Sequence, residues 1–330
     1  MPITIKDIAK KANVTPSTVS RALKDHPRIS TETKQKIQKL AKSMGYIPSQ
    51  VARNLVTQRS TTIGVAVADY LDPFYESLLV SIEHVALANN YELLVSSFFQ
   101  DRLREEKLFN SFREKQLAGI IVAGSLIDEG YLSLENTSVP VVLVNCLSYP
   151  FSVSTDKLLG SKIAIEYLIE LGHRRIAYVS QGRSLNSNLL RLQGYQSALR
   201  KYNLPIDDSL IVPGDGGVIG GIKAANLLLD IPEKPSAYFC FNDMTAIGVM
   251  NTLQKRGYQV PRDCSVVGFD GLDIAAYYYP SLTTVRQPID KLGQRAGEML
   301  LKLIQGDDEV RAEVLEPELV VRNTTARVVF

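Results

Sequence analysis

The segment 13–27, "NVTPSTVSRALKDHP", concentrates hydrogen-bonding side chains on what is predicted to be a short helix. Thr15 suits the N-cap, and Pro16 suits the first helical position because that position needs no backbone donor. Val19 and Leu23, one turn apart, are predicted to face inward. The outer face then carries Ser17, Thr18, Ser20 and Arg21. Such hydroxyl and guanidinium groups bond readily to polar or anionic partners, so the helix either has an idle solvated face or presents that face to a ligand.

A second set of polar side chains follows apolar runs that are predicted to be strands. They are Asp69, Asn145, Asn242 with Asp243, and Asp270. In a doubly wound α/β sheet, ligands bind at the carboxyl ends of the strands. These carboxylate and amide groups are therefore candidates for a ligand site, which the surrounding elements must assemble.

Charge is distributed unevenly between the start of the chain and the rest. The whole chain has a net charge of +2, but residues 1–60 contain 12 Lys and Arg against 3 Asp and Glu. The remaining residues contain 25 basic and 32 acidic groups. A basic head on an acidic body favours a polyanionic partner for the head, although a solvated positive face alone would give the same count.

The head, residues 1–47, is predicted to form three short helices. Thr4 and Asp7 have capping-box spacing at the first helix, and Ser30 caps the third. Helix, tight turn, helix and supporting helix is the helix-turn-helix pattern, whose second helix enters the major groove of DNA. Residues 48–60 follow as a linker, because a helix of two or three turns is too short to be stable alone.

From residue 61 onward, β-branched apolar runs alternate with helical patterns. The runs are "TIGVAVAD", "YELLVSSF", "GIIVAG", "PVVLVNC", "RIAYVSQG", "AYFCFND" and "CSVVGFD". Continuous apolar runs are typical of parallel strands covered on both faces by helices, so the predicted fold class is doubly wound α/β. No run of about 18 apolar residues and no export signal is found, and the three cysteines lack metal spacing. These features predict a cytoplasmic protein without membrane contact.

The stretch "TIKDIAKKANVTPSTVSRALKDHPRISTETKQKI" resembles the signature of the lactose-repressor/galactose-repressor (LacI/GalR) family of bacterial transcription regulators. Further matches are "GYIPSQVARNL", "LGHRRIAYVSQ", "FNDMTAIGVM", "VVGFD" and "YPSLTTVRQP", so the resemblance runs from end to end. It implies a helix-turn-helix head (1–47), a hinge helix and linker (48–60), and a periplasmic-binding-protein-like core (61–330, the body of the chain). The implied subdomains of the body are about 61–158 with 288–317, and 159–287 with 318–330.

The resemblance also implies which residues contact DNA. On the second helix, base or phosphate contacts fall to Thr15, Pro16, Ser17, Thr18 and Arg21. Lys6 and Lys34 are expected near backbone phosphates, which makes the affinity sensitive to salt. In the hinge, Leu55 matches a residue that wedges into the central base step from the minor groove, with Val51 and Ala52 beside it. A solvated second helix, and packing of Leu55 on its own head, are the plainer alternatives.

Residues of the body are implied to bind an effector between the subdomains: Phe74, Tyr75, Asn145, Arg191, Asn242, Asp270 and Gln287. Arginine with carboxylate and amide groups suits a polyhydroxylated ligand, because both ends of each hydroxyl can be paired. A sugar or sugar phosphate is the predicted class. Gly216 replaces an aromatic ring and Asn145 replaces an Asp that are common in relatives, so no relative's specificity is copied. A structural salt bridge between Arg191 and Asp270 is the alternative.

Together these residues predict a sequence-specific DNA-binding regulator, by family default a repressor, that binds a pseudo-palindromic operator as a homodimer. An effector in the cleft is expected to modulate DNA binding by moving the subdomains. Control by a co-regulator protein, or the lack of any effector, is the alternative. A solute-binding protein is a distant rival that leaves the basic head unexplained. No enzyme activity, metal or cofactor is predicted, and His173 is expected to lie in a surface loop.

Overall fold

The structure is a computed structural model that describes residues 3–47, 60–127, 139–146, 149–181, 186–307 and 309–328. Its backbone divides into two compact units, Met1–Ser60 and Thr61–Phe330. The described part of the first unit, the head, is helical, whereas the described strands belong to the second unit, the body.

The head consists of α1 (Ile5–Ala12), α2 (Pro16–Leu23) and α3 (Thr31–Ser43). The helix starts predicted from the sequence are confirmed. Asp7 accepts hydrogen bonds from the backbone N–H and the hydroxyl of Thr4, at 2.9 and 2.7 Å. Ser30 Oγ accepts the backbone N–H of Thr33 at 3.3 Å. Such bonds fix where each helix begins, and with it the direction of the helix.

A small apolar core orients α2 within the head. Its buried members are Ile8, Ala9, Ala12, Val19, Ala22, Ile37 and Ala41. Asn13 ends α1 with φ +56°, a left-handed conformation that asparagine tolerates, and this lets α2 start three residues later. Because Val19 and Ala22 pack inward, the opposite face of α2 points away from the head's core.

Strands and helices alternate along the described part of the body. In chain order they are β1 (Thr62–Val67), α4 (Pro73–Ala88), β2 (Glu92–Ser97), α5 (Arg102–Glu114), β3 (Gly119–Ala123), β4 (Val141–Val144), β5 (Ser152–Thr155), α6 (Lys157–Glu170), β6 (Ile176–Ser180), α7 (Asn186–Lys201), β7 (Ile211–Pro213), α8 (Val218–Asp230), β8 (Ala237–Cys240), α9 (Asp243–Lys255), β9 (Ser265–Asp270), α10 (Asp273–Tyr277), β10 (Thr283–Arg286), α11 (Ile289–Ile304), β11 (Glu313–Leu315) and β12 (Glu318–Val320).

These strands form two sheets. The first has the order β11-β5-β4-β3-β1-β2, and its pairings are parallel. The second has the order β12-β10-β9-β8-β6-β7 and is parallel except where β12 runs antiparallel to β10. The chain passes from one sheet to the other after β5, after β10 and after β11. The predicted doubly wound α/β fold class is confirmed.

Helices cover both faces of each sheet, which explains the continuous apolar runs. On β3, Ile121 and Ala123 pack in a cluster with α4 and α11, whereas Ile120 and Val122 pack in a cluster with α5. In the second sheet, one face packs against α8 and α9 and the other against α6 and α7. Successive side chains of a strand point to opposite faces, so a strand buried on both sides needs apolar residues throughout.

The sequence patterns did not predict several short strands. Those outside the predicted runs are β5, β7, β10, β11 and β12. The residues of β5, "SVST", are fully buried, yet its serine and threonine side chains give no apolar run. These strands lie at or next to the edges of the two sheets, so their positions are visible only in the fold.

His173 is not in a surface loop, so that prediction is wrong. The residue is buried, and its ring nitrogens lie 2.9 Å from Ser236 Oγ and 2.9 Å from Ser265 Oγ. Burial lowers the pKa of His173, which favours the neutral imidazole that bridges these hydroxyls. Among the described residues, none of the helices has the length and apolar character that a membrane span requires.

Candidate functional site

The outer face of α2 is the candidate DNA-contacting surface. Pro16, Ser17 and Arg21 are exposed, and Thr18 is half-buried. Thr15 Oγ1 lies 2.8 Å from Ser17 Oγ and 2.9 Å from Thr18 Oγ1, and it accepts the backbone N–H of Thr18 at 3.2 Å. The predicted N-cap role of Thr15 is confirmed. The cap also joins three hydroxyls at the N-terminal end of the helix, where helix geometry favours contact with phosphate oxygens.

The two lysines predicted to contact phosphates differ in their surroundings. Lys6 is exposed on α1. Lys34 Nζ lies 2.7 Å from a carboxylate oxygen and 3.2 Å from the carbonyl oxygen of Asp25, and its side chain is largely buried. A phosphate contact by Lys34 would therefore share its ammonium group with Asp25. The hinge positions of the predicted interface lie outside the described residues; they are Val51, Ala52 and Leu55.

In the body, polar side chains surround a cavity of about 90 Å³ at the carboxyl ends of strands from both sheets. Its lining includes every predicted effector-contacting residue: Phe74, Tyr75, Asn145, Arg191, Asn242, Asp270 and Gln287. It also includes residues that the sequence did not single out: Asp72, Gln100, Ser125, Lys157, Gln181 and Phe241. Parallel strands bring these distant positions to one place because their carboxyl ends share an edge of the sheet.

An ion pair and an amide occupy one wall of this cavity. Asp270 Oδ1 accepts hydrogen bonds from Arg191 Nη2 at 3.1 Å and from Gln287 Nε2 at 2.7 Å. The side chains of Arg191 and Asp270 are 4% and 5% exposed. Burial raises the pKa of Asp270 and the neighbouring cation opposes that rise. The backbone of Asp270 has φ +111°, a strained value for a residue other than glycine, and such strain is concentrated at functional sites.

Two aromatic rings hold the Arg191 guanidinium between them. Its central carbon lies 4.1 Å from the ring centroid of Phe241 and 4.0 Å from that of Phe269. Burial lowers the pKa of Arg191, but a guanidinium stays protonated in proteins. Cation–π contact in a desolvated site stabilises that charge by about 2 kcal/mol. The clamp leaves the in-plane N–H groups available for hydrogen bonds.

Two buried polar atoms of this wall have no hydrogen-bond partner among the described residues. They are Arg191 Nε and Gln287 Oε1, and both residues are buried. Buried polar atoms without a partner cost free energy, so this wall is a candidate for contact with a polar ligand.

The opposite wall comes from the loops after β1 and β3 and from α4. Asp72 caps α4 by accepting the backbone N–H of Phe74 at 3.0 Å, and burial raises the pKa of the Asp72 carboxyl. The rings of Phe74 and Tyr75 meet edge to face with centroids 5.2 Å apart. Gly124, with φ +75°, leaves room for the Tyr75 hydroxyl, which a Cβ there would contact too closely. An aromatic face and a phenol hydroxyl thus border the cavity.

Two of the predicted amides also have structural tasks. Asn242 caps α9 by accepting the backbone N–H of Thr245 at 2.9 Å, and it donates to the carbonyl oxygen of Gly216 at 2.8 Å. Asn145 Oδ1 accepts from Lys157 Nζ at 2.7 Å. Ligand contact by these residues stays a prediction, because capping and loop bonds already explain part of their placement.

The sequence did not identify Lys157, or the two rings of Phe241 and Phe269 that contact Arg191, as part of the site. Phe241 and Phe269 each precede a predicted polar residue at a strand end, so an aromatic residue before the polar position was an available signal. Lys157 gives no such signal, because a lysine at the start of a helix is ordinarily solvated.

A buried carboxyl beside the cavity predicts a pH-dependent stability. Asp243 is fully buried; it accepts the hydroxyl of Thr284 and, at 2.8 Å, the backbone N–H of Leu272. Burial raises the pKa of Asp243 to about 7, from an ordinary value of 3.8. Between these values the folded chain holds a proton that the unfolded chain has released.

The stabilising contribution of Asp243 is therefore fully present below about pH 4 and is lost as the pH rises to about 7, by up to about 4 kcal/mol. Asp243→Asn is expected to flatten this part of the pH profile in chemical denaturation. Asp208→Asn, at an exposed carboxyl, is the control and should keep the wild-type slope. An Asp243→Asn protein with the wild-type slope would contradict this assignment.

Fold and site together define a class, a DNA-binding transcriptional repressor with a helix-turn-helix head and a periplasmic-binding-protein-like body. Residues 4–49 match the model of bacterial regulatory proteins of the lacI family, and residues 165–325 match that of a periplasmic binding protein-like domain. The HTH-type transcriptional repressor CytR of Escherichia coli (strain K12) is 33% identical, covering 98% of this chain and 96% of CytR. The protein belongs to the lacI family, as the resemblance predicted.

Solved structures agree with this membership. The Lac repressor dimer bound to operator and the anti-inducer ONPF superposes with a TM-score of 0.90 at 27% identity, covering 99% of this chain and 100% of that chain. A LacI family regulator from Enterococcus faecium with bound ribose gives a TM-score of 0.74 at 29% identity, covering 81% of this chain and 99% of that chain. The first match spans head and body alike.

Proposed function

We propose that this protein represses transcription in the cytoplasm by binding a pseudo-palindromic operator as a homodimer, and that a sugar or sugar phosphate in the body's cavity modulates this binding. One observation carries the proposal. The chain combines an exposed α2 face in a basic head with a buried cavity that offers an unsatisfied donor and an unsatisfied acceptor. The first feature suits DNA and the second suits a polyhydroxylated ligand.

Operator recognition is assigned to the exposed residues of α2. Arg21 suits a guanine edge or a phosphate, whereas Ser17 and Thr18 bond to either and carry less sequence information. Pro16 offers apolar contact alone, such as to a thymine methyl. The structural match to a Lac repressor dimer on its operator supports this docking of a second helix.

Dimerisation is supported by apolar side chains exposed on neighbouring elements of the body. They are Ile219, Leu227, Ile274, Tyr277 and Tyr279. Tyr277 and Tyr279 are 87% and 88% exposed, and the carbonyl oxygen of Tyr279 accepts a hydrogen bond from Gln254 of α9 at 3.2 Å. Exposed aromatic and aliphatic groups are the kind of surface that a second copy of the chain could cover, and two identical copies suit a palindromic operator.

A ligand in the cavity would contact both subdomains at once. We propose the subdomain boundaries that the resemblance implies. Asp72, Tyr75 and Asn145 follow strands of the first sheet. Asp270 ends β9 of the second sheet, and Arg191 lies on α7, which packs against that sheet. A ligand bonded to both sets favours one relative position of the sheets over others. That preference changes how far apart two hinge segments are held, and so changes DNA affinity.

Selection of genomic DNA tests the proposal. Full-length protein is incubated with fragmented chromosomal DNA and excess random competitor, and retained fragments are sequenced. The expected result is a small set of fragments that share a pseudo-palindrome and bind one dimer per site. Retention of random competitor as efficiently as any fragment, with sugars and sugar phosphates added or withheld, would overturn the proposal.

Leu55→Ala is expected to weaken binding to the selected fragment by about tenfold or more. Without the wedge the DNA loses the bend, and with it the contacts that repay the few kcal/mol spent on unstacking the base step. Gel-shift titration at fixed salt measures this, with Val56→Ala as a neighbouring truncation. The two variants should bind random DNA alike. If Leu55→Ala binds the selected fragment as tightly as the wild type does, Leu55 does not act as a wedge.

A further inference from the structure

We infer that Gln181 sets the size of ligand that the body's cavity accepts, and that its side chain restricts the effector to a single sugar ring. This inference rests on the proposed function, because it narrows the class of ligand in the same cavity. It makes Gln181 a specificity-determining residue that excludes disaccharides.

The carboxyl ends of two adjacent strands bring Gln181 next to the loop of residues 214–217, the β7 loop. β6 and β7 pair in parallel, with Ser180 opposite Pro213, so Gln181 and the β7 loop leave the sheet side by side. The backbone N–H of Gly214 donates to the carbonyl oxygen of Ser180 at 2.7 Å. This bond holds the start of the β7 loop against the end of β6.

Gly216 is the residue of the β7 loop that lines the cavity. Its φ is +83°, a left-handed value that favours glycine. Its carbonyl oxygen accepts Asn242 Nδ2 at 2.8 Å, and Asp215 Oδ1 accepts the backbone N–H of Gly217 at 2.8 Å. The loop is therefore held at a position where the cavity wall has no side chain of its own.

The side chain of Gln181 covers the wall at Gly216. A Cβ on Gly216 would lie 3.2 Å from Gln181 Nε2 and 3.5 Å from Cγ and Cδ, so the Gln181 side chain runs along this glycine. Gln181 is 9% exposed and lines the cavity. Its backbone N–H donates to Asn188 Oδ1 at 3.2 Å, and the same oxygen accepts the hydroxyl of Tyr178 at 2.8 Å. Gln181 thus forms the wall from a fixed backbone position.

The space left beside Gln181 is small. The cavity measures about 90 Å³, whereas sites for drug-sized ligands measure about 300–1,000 Å³. Asp215 is exposed and Gly216 is half-buried, so the β7 loop lies between the cavity and solvent. Removing the Gln181 side chain would therefore extend the cavity towards this loop. A single ring suits the volume that remains, and a second ring needs the space that Gln181 takes up.

Calorimetry with matched probes tests the size limit on the full-length protein. The one-ring probes are glucose, glucose 6-phosphate and ribose, and the two-ring probes are maltose and cellobiose. The wild type is expected to bind at least one of the one-ring probes about tenfold or more tightly than either disaccharide. Discrimination of this size is reasonable, because even one added or missing methylene in a pocket changes specificity by about 10- to 200-fold.

Variants at position 181 attribute the size limit to one side chain. Gln181→Ala is expected to raise the affinity for a disaccharide, relative to the one-ring probe, by at least about tenfold. Gln181→Ser is a second truncation, with the same expected result, for use if the alanine variant does not fold. Gln181→Met keeps the length of the side chain without its amide, so it should exclude disaccharides as the wild type does. Gln193→Ala, at an exposed position of α7, is the control and should leave the ratio unchanged.

Each of four outcomes overturns the inference: a disaccharide that binds the wild type as tightly as any one-ring probe, an unchanged ratio in the truncated variants, an equal gain of disaccharide binding in Gln181→Met, or the absence of binding by every probe. A one-ring probe that binds the wild type and is lost when Arg191 is replaced, with a ratio that Gln181→Ala leaves unchanged, retains the effector cavity and removes the size limit alone. Failure of the DNA selection removes the proposed function independently.

Discussion

Arg191→Met is expected to lower the affinity for any sugar or sugar phosphate that binds the wild-type protein by at least about 30-fold. Arg191 supplies the charged donor of the cavity wall, and it also orients Asp270, whose Oδ1 it contacts at 3.1 Å. A thermal-shift screen with sugars and sugar phosphates measures the loss as a smaller ligand-dependent rise in melting temperature.

The same substitution affects folding, so the test needs matched variants. Removing one partner of a buried ion pair costs about 3–5 kcal/mol, since Asp270 is left buried without its cation. The double variant Arg191→Met/Asp270→Asn is expected to regain stability without regaining ligand binding. Arg200→Met, at an exposed position of α7, should behave as the wild type in both measurements.

A ligand-induced rise in melting temperature that is equal in Arg191→Met and in the wild type would show that the cavity is wrongly assigned. Recovery of both stability and binding in the double variant would show that Arg191 and Asp270 serve as a structural ion pair. The first outcome would mean that the effector binds elsewhere. The second would mean that Arg191 and Asp270 stabilise the fold and do not bind the effector.

Arg21→Ala is expected to weaken binding to the selected operator by about 10- to 100-fold and to change affinity for random DNA much less. Arg21 is exposed on the outer face of α2, on the side turned away from the apolar core of the head. A bidentate contact to a guanine edge discriminates among sequences, whereas a phosphate contact weakens binding to every sequence alike.

Fluorescence anisotropy at two salt concentrations separates these cases. Arg28→Ala removes the same charge from an exposed position of the head outside α2, so its effect should be similar for operator and random DNA. Should Arg21→Ala reduce both affinities by one factor, Arg21 contacts phosphate and base readout belongs to other residues of α2. Should it change neither, this face of α2 does not contact DNA.

Local patterns in the sequence determined the architecture. The caps Thr4, Thr15 and Ser30 were predictable because a cap depends on residues within one helical turn of each other. The apolar runs of the body were predictable because strands buried on both faces must be apolar throughout. The seven positions predicted to contact an effector came from the family resemblance, and the structure places all of them around one cavity.

Tertiary structure decided which charges are buried and what they contact. Lys34 and Lys157 are indistinguishable in sequence from solvated lysines, yet one is paired with Asp25 and the other lines the cavity. His173 sits between serines from two separate segments, one before β8 and one in β9. Periodicity and capping act over a few residues, so they show in the sequence, whereas the surroundings of a buried polar group are set by segments far apart in the chain and exist only once the sheets have formed.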